Sequence, residues 1–139
     1  HPRAQVCCAL YCLWARATLA GAADPWAAAC ATLRALWPAS TVERSELEDH
    51  VRPEDPPEQL GTGYVVSTLH GAHYALAAGG YEQVVKAAIG LGDDTDTTAC
   101  VAGGIAGLRD GIGDIPARWR EGLRGRELYQ PLLDALLRR

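Results

Sequence analysis

The 139-residue sequence contains no methionine, and Lys86 is its only lysine. A natural reading frame opens with Met. A chain opening on His1 and Pro2 is therefore expected to be a processed chain, an excised piece or an incomplete sequence. Arginine supplies almost all the basic charge and alanine is abundant, a bias that fits GC-rich coding and says little about function. No uninterrupted apolar run approaches the roughly 18 residues that a membrane span requires, and no secretory pattern is visible at the N-terminus. Basic charge is not in excess: the formal net charge of −4 argues against a nucleic-acid partner. The five cysteines, Cys7, Cys8, Cys12, Cys30 and Cys100, include no C-x-x-C pair. Their odd number and apolar surroundings favour buried free thiols in a reducing cytosol over disulfides or zinc, which implies a cytoplasmic location. No segment sustains the period-two alternation of a strand; GTGYVV comes nearest, and its continuation is helical.

What remains is 48% apolar and long enough for one all-α domain over residues 1–139 with a modest core. Val6, Leu10, Leu13, Trp14 and Ala17 recur at helical spacing and predict a helix from Arg3 to Leu19, stopped by Gly21. Asp24-Pro25 reads as a cap followed by proline at the first helical position, opening a helix from Trp26 to about Leu36. Ser40 or Thr41 caps a short charged helix through Glu48. The stretch HVRPEDPPEQLGTG, residues 50–63, is rich in proline and acids and predicts a surface connection with little regular structure. Further helices are predicted from Tyr64 to Ala78, Tyr81 to Ile89, Thr95 to Leu108, Asp114 to about Leu123, and Arg126 to Leu137. Gly103, Gly104 and Gly107 weaken the Thr95–Leu108 helix by about 1 kcal/mol each relative to alanine. Close approach of a neighbouring helix would explain them. His70 and His73 stand three apart but have no third ligand nearby, and read as a partly exposed polar pair. Trp14, Trp26, Trp37 and Trp119 read as core or interface anchors. Arg118, Arg120, Arg124 and Arg126 read as a solvated face.

The stretch LGDDTDTTACVAGGIAG (91–107) is unlike the rest. Asp93, Asp94 and Asp96 alternate with Thr95, Thr97 and Thr98 before an uncharged run. A helix N-terminus welcomes acids, so Asp94 as cap and Asp96 against the dipole account for one or two of them. Three acids with interleaved hydroxyls suggest in addition a hard cation such as Mg²⁺, Ca²⁺ or Mn²⁺, which prefers oxygen ligands. Asp94 and Thr97 lie on one helix face, and Asp96 can reach the same point.

GDDTDTT (92–98) resembles the C-terminal metal motif of the ADP-ribosylglycohydrolase family, which includes the dinitrogenase-reductase-activating glycohydrolases. GTGYVVSTLHGAHYAL (61–76), YEQVVKAAIGLG (81–92), IPARWREGL (115–123) and the opening HPRAQ resemble further elements of that family, so the likeness covers essentially the whole chain. Asp93 departs from the pattern, where glycine is usual. The resemblance implies an all-α, compact orthogonal helical bundle, of which this chain would be the C-terminal half. It implies two Mg²⁺ ions, with Mn²⁺ an alternative, and removal of ADP-ribose from a protein side chain or related conjugate. Position by position it makes Asp94, Asp96 and Thr97 metal ligands, with Thr95 pointing away as a cap. His1, Gly63 and Tyr64 become substrate contacts, with Gly61 beside them. The remaining ligands and a general acid–base Glu are expected from an N-terminal half that this sequence does not contain. The isolated chain is then expected to be inactive. A catalytically inactive helical module that binds ADP-ribose, a metal or a partner is the alternative.

Overall fold

The computed structural model describes residues 1–138 and is all-α, with no strand among them. Helix α1 (Pro2–Leu19) begins with Pro2 in the first turn, and His1 Nδ1 accepts the Arg3 amide at 3.2 Å. α2 (Pro25–Leu36) opens on Asp24, whose carboxylate accepts the Ala27 amide at 2.9 Å. α3 (Val42–Ser45), capped by Thr41, runs directly into a π-helical segment, Glu46–Val51. α4 (Val65–Ala75) ends in a 3₁₀ turn over Leu76–Ala78. α5 (Tyr81–Gly90), α6 (Thr95–Asp110), α7 (Ala117–Gly122) and α8 (Arg126–Leu137) follow. Pro131 lies inside α8, well past its first turn.

Two cores hold α1, α2, α4, α5, α6 and the π-helical segment. In the larger, Val6, Leu10 and Trp14 of α1 meet Trp26, Cys30 and Leu33 of α2, Leu47 and Val51 of the π-helical segment, Val66 and Leu69 of α4, and Ile105 of α6. Each large apolar side chain fully buried there stabilises the fold by about 1.5–3 kcal/mol. The smaller core is a seam of alanines, Ala72, Ala75, Ala88, Ala102 and Ala106, closed around Val84. Small residues let α4, α5 and α6 approach closely. The α6 glycines serve that approach as expected: a Cβ on Gly103 would stand 3.4 Å from the Tyr81 hydroxyl, and one on Gly104 would collide with the Tyr11 hydroxyl.

Residues 50–63 are mostly exposed and irregular beyond Val51, as predicted, but Val51, Pro53 and Gly61 are buried. The carbonyl of Pro53 accepts the Trp26 indole N–H at 3.1 Å, and that of Val51 accepts from His70 Nε2 at 2.7 Å. Arg34 grips Glu48 through Nε and Nη2 (2.8 and 2.9 Å) and Glu54 through Nη1 (2.7 Å), so the segment is also clamped to α2. The Arg34 guanidinium, with Arg44 assisting, pushes the Glu48 carboxyl down to about 2.

His70 is buried rather than partly exposed, whereas His73 is partly exposed as predicted and stacks on Trp26 with ring centroids 4.2 Å apart and planes 13° from parallel. Aromatic packing and a backbone carbonyl, neither visible in the spacing, draw both rings inward. Burial lowers the pKa of both. Among the cysteines, all free, Cys7 and Cys30 are buried as predicted, while Cys8, Cys12 and Cys100 are exposed because they fall off the core stripe of α1 and α6. Burial pushes the Cys7 and Cys30 thiols up to about 12. Trp14 and Trp26 are core, as predicted; Trp119 packs edge-on against Tyr81. Helix α8 buries none of its side chains, and Leu128, Leu132 and Leu136 are exposed.

Two outcomes follow from this packing. Gly107→Ala should stabilise by up to about 1 kcal/mol, because alanine favours the helix and its Cβ would meet Tyr81 only at an ordinary 3.6 Å. Gly104→Ala should forfeit that gain, since Tyr11 must leave the Val101 carbonyl it donates to at 3.3 Å. Urea midpoints of the two variants check the contrast. The histidine pair sets a pH dependence. Both folded pKa values lie below the ordinary 6.5, so the unfolded chain takes up protons first as pH falls. Stability is therefore complete above that value and lost below it. Thermal melts at pH values from about 7 to about 5 should show the decline, and His73→Phe, which keeps a ring on Trp26, should flatten it.

Candidate metal and substrate site

Helix α6 begins where the acidic run does. Asp94 is its N-cap, accepting the Thr97 amide at 3.3 Å, and Asp96 sits in the first turn, where unpaired N–H groups favour negative charge. Thr95 is the first helical residue and not the cap; the cap role falls to Asp94, whose backbone (φ −86°, ψ 73°) lies outside the helical region. The Asp94 carboxyl is held below the usual carboxylate range by the Thr97 side chain. Asp94 accepts the Thr97 amide and Asp96 sits in the same first turn, so the three residues proposed from the sequence stand at one helix entrance. Asp93 does not join them. Its backbone is left-handed, φ 51°, which explains why glycine suits this position. Its carboxylate accepts instead from Gln59 Nε2 at 3.0 Å.

The 59–63 segment fastens to the acidic turn. The Gly61 carbonyl accepts the Asp94 amide at 3.0 Å, and the Gly61 amide donates to the Ser67 carbonyl at 3.3 Å. Ser67 Oγ accepts the Thr62 amide and donates to the Gln59 carbonyl at 2.9 Å. Gly63, at φ 79°, lies against Asp94: a Cβ there would come within 2.7 Å of Oδ2. Tyr64 follows as the N-cap of α4, half exposed, with its hydroxyl accepting from Arg3 Nη1 at 2.8 Å. Arg3 Nε donates to Glu46 at 2.7 Å. His1 is exposed and stacked in sequence directly before this clamp, its ring accepting the Arg3 amide. His1, Tyr64, Gly63 and Asp94 are therefore linked through Arg3 and the 61–64 backbone.

Sequence reading missed Arg3 and Glu46, whose partners lie 43 and 61 residues away. It also missed Thr68 and Thr98, whose buried hydroxyls have no hydrogen-bond partner. Among the described residues no three His, Cys, Asp or Glu side chains gather into a metal cluster; the set at the turn is two carboxylates and a hydroxyl. A cavity of about 920 Å³ opens elsewhere, beside Trp26, His73 and Tyr74, and contains none of the candidate residues. No described helix is long and apolar enough to cross a membrane.

An all-α body with an acidic helix entrance beside a glycine strap defines the class: a helical protein with no strand among its described residues. The chain belongs to the ADP-ribosylglycohydrolase family, whose model matches residues 1–139. It is 47% identical over 47 residues to ADP-ribosylhydrolase ARH3 of Danio rerio, covering 34% of this chain and 13% of that protein. It is 34% identical over 80 residues to ADP-ribosylarginine hydrolase Tri1 of Serratia proteamaculans (strain 568), covering 57% of this chain and 22% of that one. It is 30% identical over 66 residues to ADP-ribosyl-[dinitrogen reductase] glycohydrolase of Rhodospirillum rubrum, covering 47% and 22%. The matched part thus spans less than a quarter of each relative. No solved structure matches.

Gly63 and Gly111 both have positive φ, but only at Gly63 would a methyl also strike a carboxylate. Gly111→Ala should cost about 1–2 kcal/mol from backbone strain alone. Gly63→Ala should cost more and should displace Asp94; chemical denaturation of both variants measures the difference.

Proposed function

We propose that this chain forms one wall of an ADP-ribosylglycohydrolase site, in which Asp94, Asp96 and Thr97 hold a hard divalent cation and His1, Gly63 and Tyr64 meet the ADP-ribose. The observation that carries this reading is the placing of Asp94, Asp96 and Thr97 at one helix entrance, with the Thr97 amide on the Asp94 carboxylate, in a chain of this family. The donor set fits the ion: carboxylate and hydroxyl oxygens suit Mg²⁺ or Mn²⁺ and not zinc. When bound, such a cation supplies Lewis acidity toward ribose hydroxyls and water.

The chain's own residues position and bind. Gly63 leaves room for the Asp94 carboxylate. Arg3, anchored on Glu46, fixes the Tyr64 hydroxyl and so the face that ring offers to a ligand. The uncapped start of α4 presents amide donors beside Tyr64 for a diphosphate. Mg²⁺ takes about six ligands, and this turn supplies about three. A second ion, the remaining ligands and the acid–base group come from further residues of a longer protein, in keeping with the share of each relative that is matched. The substrate is an ADP-ribosylated protein or related conjugate, as the relatives' names indicate for those proteins. Free thiols fit a cytoplasmic setting.

Magnesium titration by calorimetry tests the reading. The chain should bind Mg²⁺ weakly, in about the millimolar range, as a partial ligand set does. Asp94→Asn should weaken binding by about tenfold or more, while α6 stays folded, because asparagine caps as well as aspartate. Unchanged binding in Asp94→Asn would refute the cation site. Release of ADP-ribose from a modified protein by these 139 residues alone would refute the need for further residues.

A further inference from the structure

Three local preferences are broken at one place. Arg3 sets a cation in the first turn of α1, the positive end of the helix dipole, and no acid in that turn offsets it. Tyr64 occupies the N-cap of α4 without a side-chain capping bond, where Ser, Thr, Asp or Asn would serve. Glu46 opens the π-helical segment, a rare conformation that recurs at functional sites. These three side chains touch. Arg3 Nε donates to Glu46 Oε2 at 2.7 Å, and Arg3 Nη1 donates to the Tyr64 hydroxyl at 2.8 Å.

Residues that break local rules without a local gain point to a function served elsewhere. Core packing does not supply the gain, since none of the three belongs to either hydrophobic core. Tyr64 is 49% exposed, and an exposed side chain changes rotamer freely unless something holds it. Here the holder is mostly covered: the Arg3 and Glu46 side chains are 24% and 13% exposed. Pro2 fixes the backbone before Arg3, and the Arg3 amide donates to His1 Nδ1 at 3.2 Å. Arg3 therefore touches two of the residues proposed to meet ADP-ribose, His1 through its amide and Tyr64 through its side chain.

We propose that Glu46 and Arg3 are positioning residues of the substrate site. Glu46 orients the Arg3 guanidinium, and that guanidinium holds the Tyr64 ring in one attitude before a ligand arrives. The inference rests on the reading that Tyr64 meets ADP-ribose, and it adds a residue of the π-helical segment to that site. Neither positioning residue touches the ligand. Their contribution is to spare the ordering cost that a free Tyr64 would meet on binding. Arginine suits the task because its planar fork serves two acceptors at a fixed angle, which a lysine ammonium on a flexible stem does not.

The test titrates free ADP-ribose, in magnesium buffer, into the intact chain isotopically labelled at tyrosine. Nuclear magnetic resonance of the Tyr64 ring then reports both its mobility and the binding. Tyr74, 63% exposed and outside the clamp, is the reference ring. Glu46→Ala and Arg3→Ala should each mobilise the Tyr64 ring and weaken ADP-ribose binding by about fivefold. Arg3→Lys should not restore it. Tyr64→Phe keeps the ring and removes the acceptor hydroxyl, so in that background Arg3→Ala should change affinity by less than about twofold. Unchanged affinity in Glu46→Ala and Arg3→Ala, with the unaltered chain binding, would overturn the inference and leave the substrate reading standing. An Arg3→Ala loss that persists in Tyr64→Phe would mean that Arg3 meets the ligand itself, and would overturn it too. No binding by the unaltered chain would remove the substrate reading and the inference together. Should Glu46→Ala fail to fold, judged by circular dichroism, the cycle of Arg3→Ala and Tyr64→Phe decides alone; alanine favours the helix at position 3, so that variant keeps α1.

Discussion

The amide of Asp94 on the carbonyl of Gly61 is the bond on which the candidate site depends. It joins the entrance of α6 to a strap that would otherwise have no reason to lie there. The strap in turn is organised by one buried side chain. Ser67 takes the Thr62 amide on its hydroxyl and gives its proton to the Gln59 carbonyl, while its own carbonyl receives the Gly61 amide. Buried backbone groups must find partners, and here those partners bring Gly63 against Asp94 and set Tyr64 at the start of α4. Position follows from backbone accounting, and the chemistry of the turn follows from position.

Much of the fold was legible because helix ends carry local signatures. Asp24-Pro25, Thr41 and Asp94 cap where their side chains reach amides three residues on, a relation that spacing alone reveals. The α1 stripe of Val6, Leu10 and Trp14 and the small residues of α6 likewise announced a buried face and a close neighbour. The candidate ligands Asp94, Asp96 and Thr97 are near in sequence, so a helix start alone places them in one turn.

What escaped was long-range. A proline-rich acidic run looks solvated until Arg34 claims Glu48 and Glu54 and the Trp26 indole claims Pro53. His70 and His73 look polar until Val51 and Trp26 supply a carbonyl and a ring face. Arg3 looks like an ordinary first-turn arginine; its partners Glu46 and Tyr64 come from two other elements. The leucines of α8 carry a strong amphipathic pattern, yet among the described residues none of that helix is buried. Local pattern states what a segment can bury and is silent on which distant group receives it.

Asp93 has one more consequence. Its carboxylate is bonded to Gln59, so of the three neighbouring acids two, Asp94 and Asp96, stand at the helix entrance. Two carboxylates carry the same magnitude of charge as a single divalent ion. Electroneutrality at this turn is thus reached with one such ion, and any second one must bring its counter-charge from other residues or from the diphosphate of a ligand.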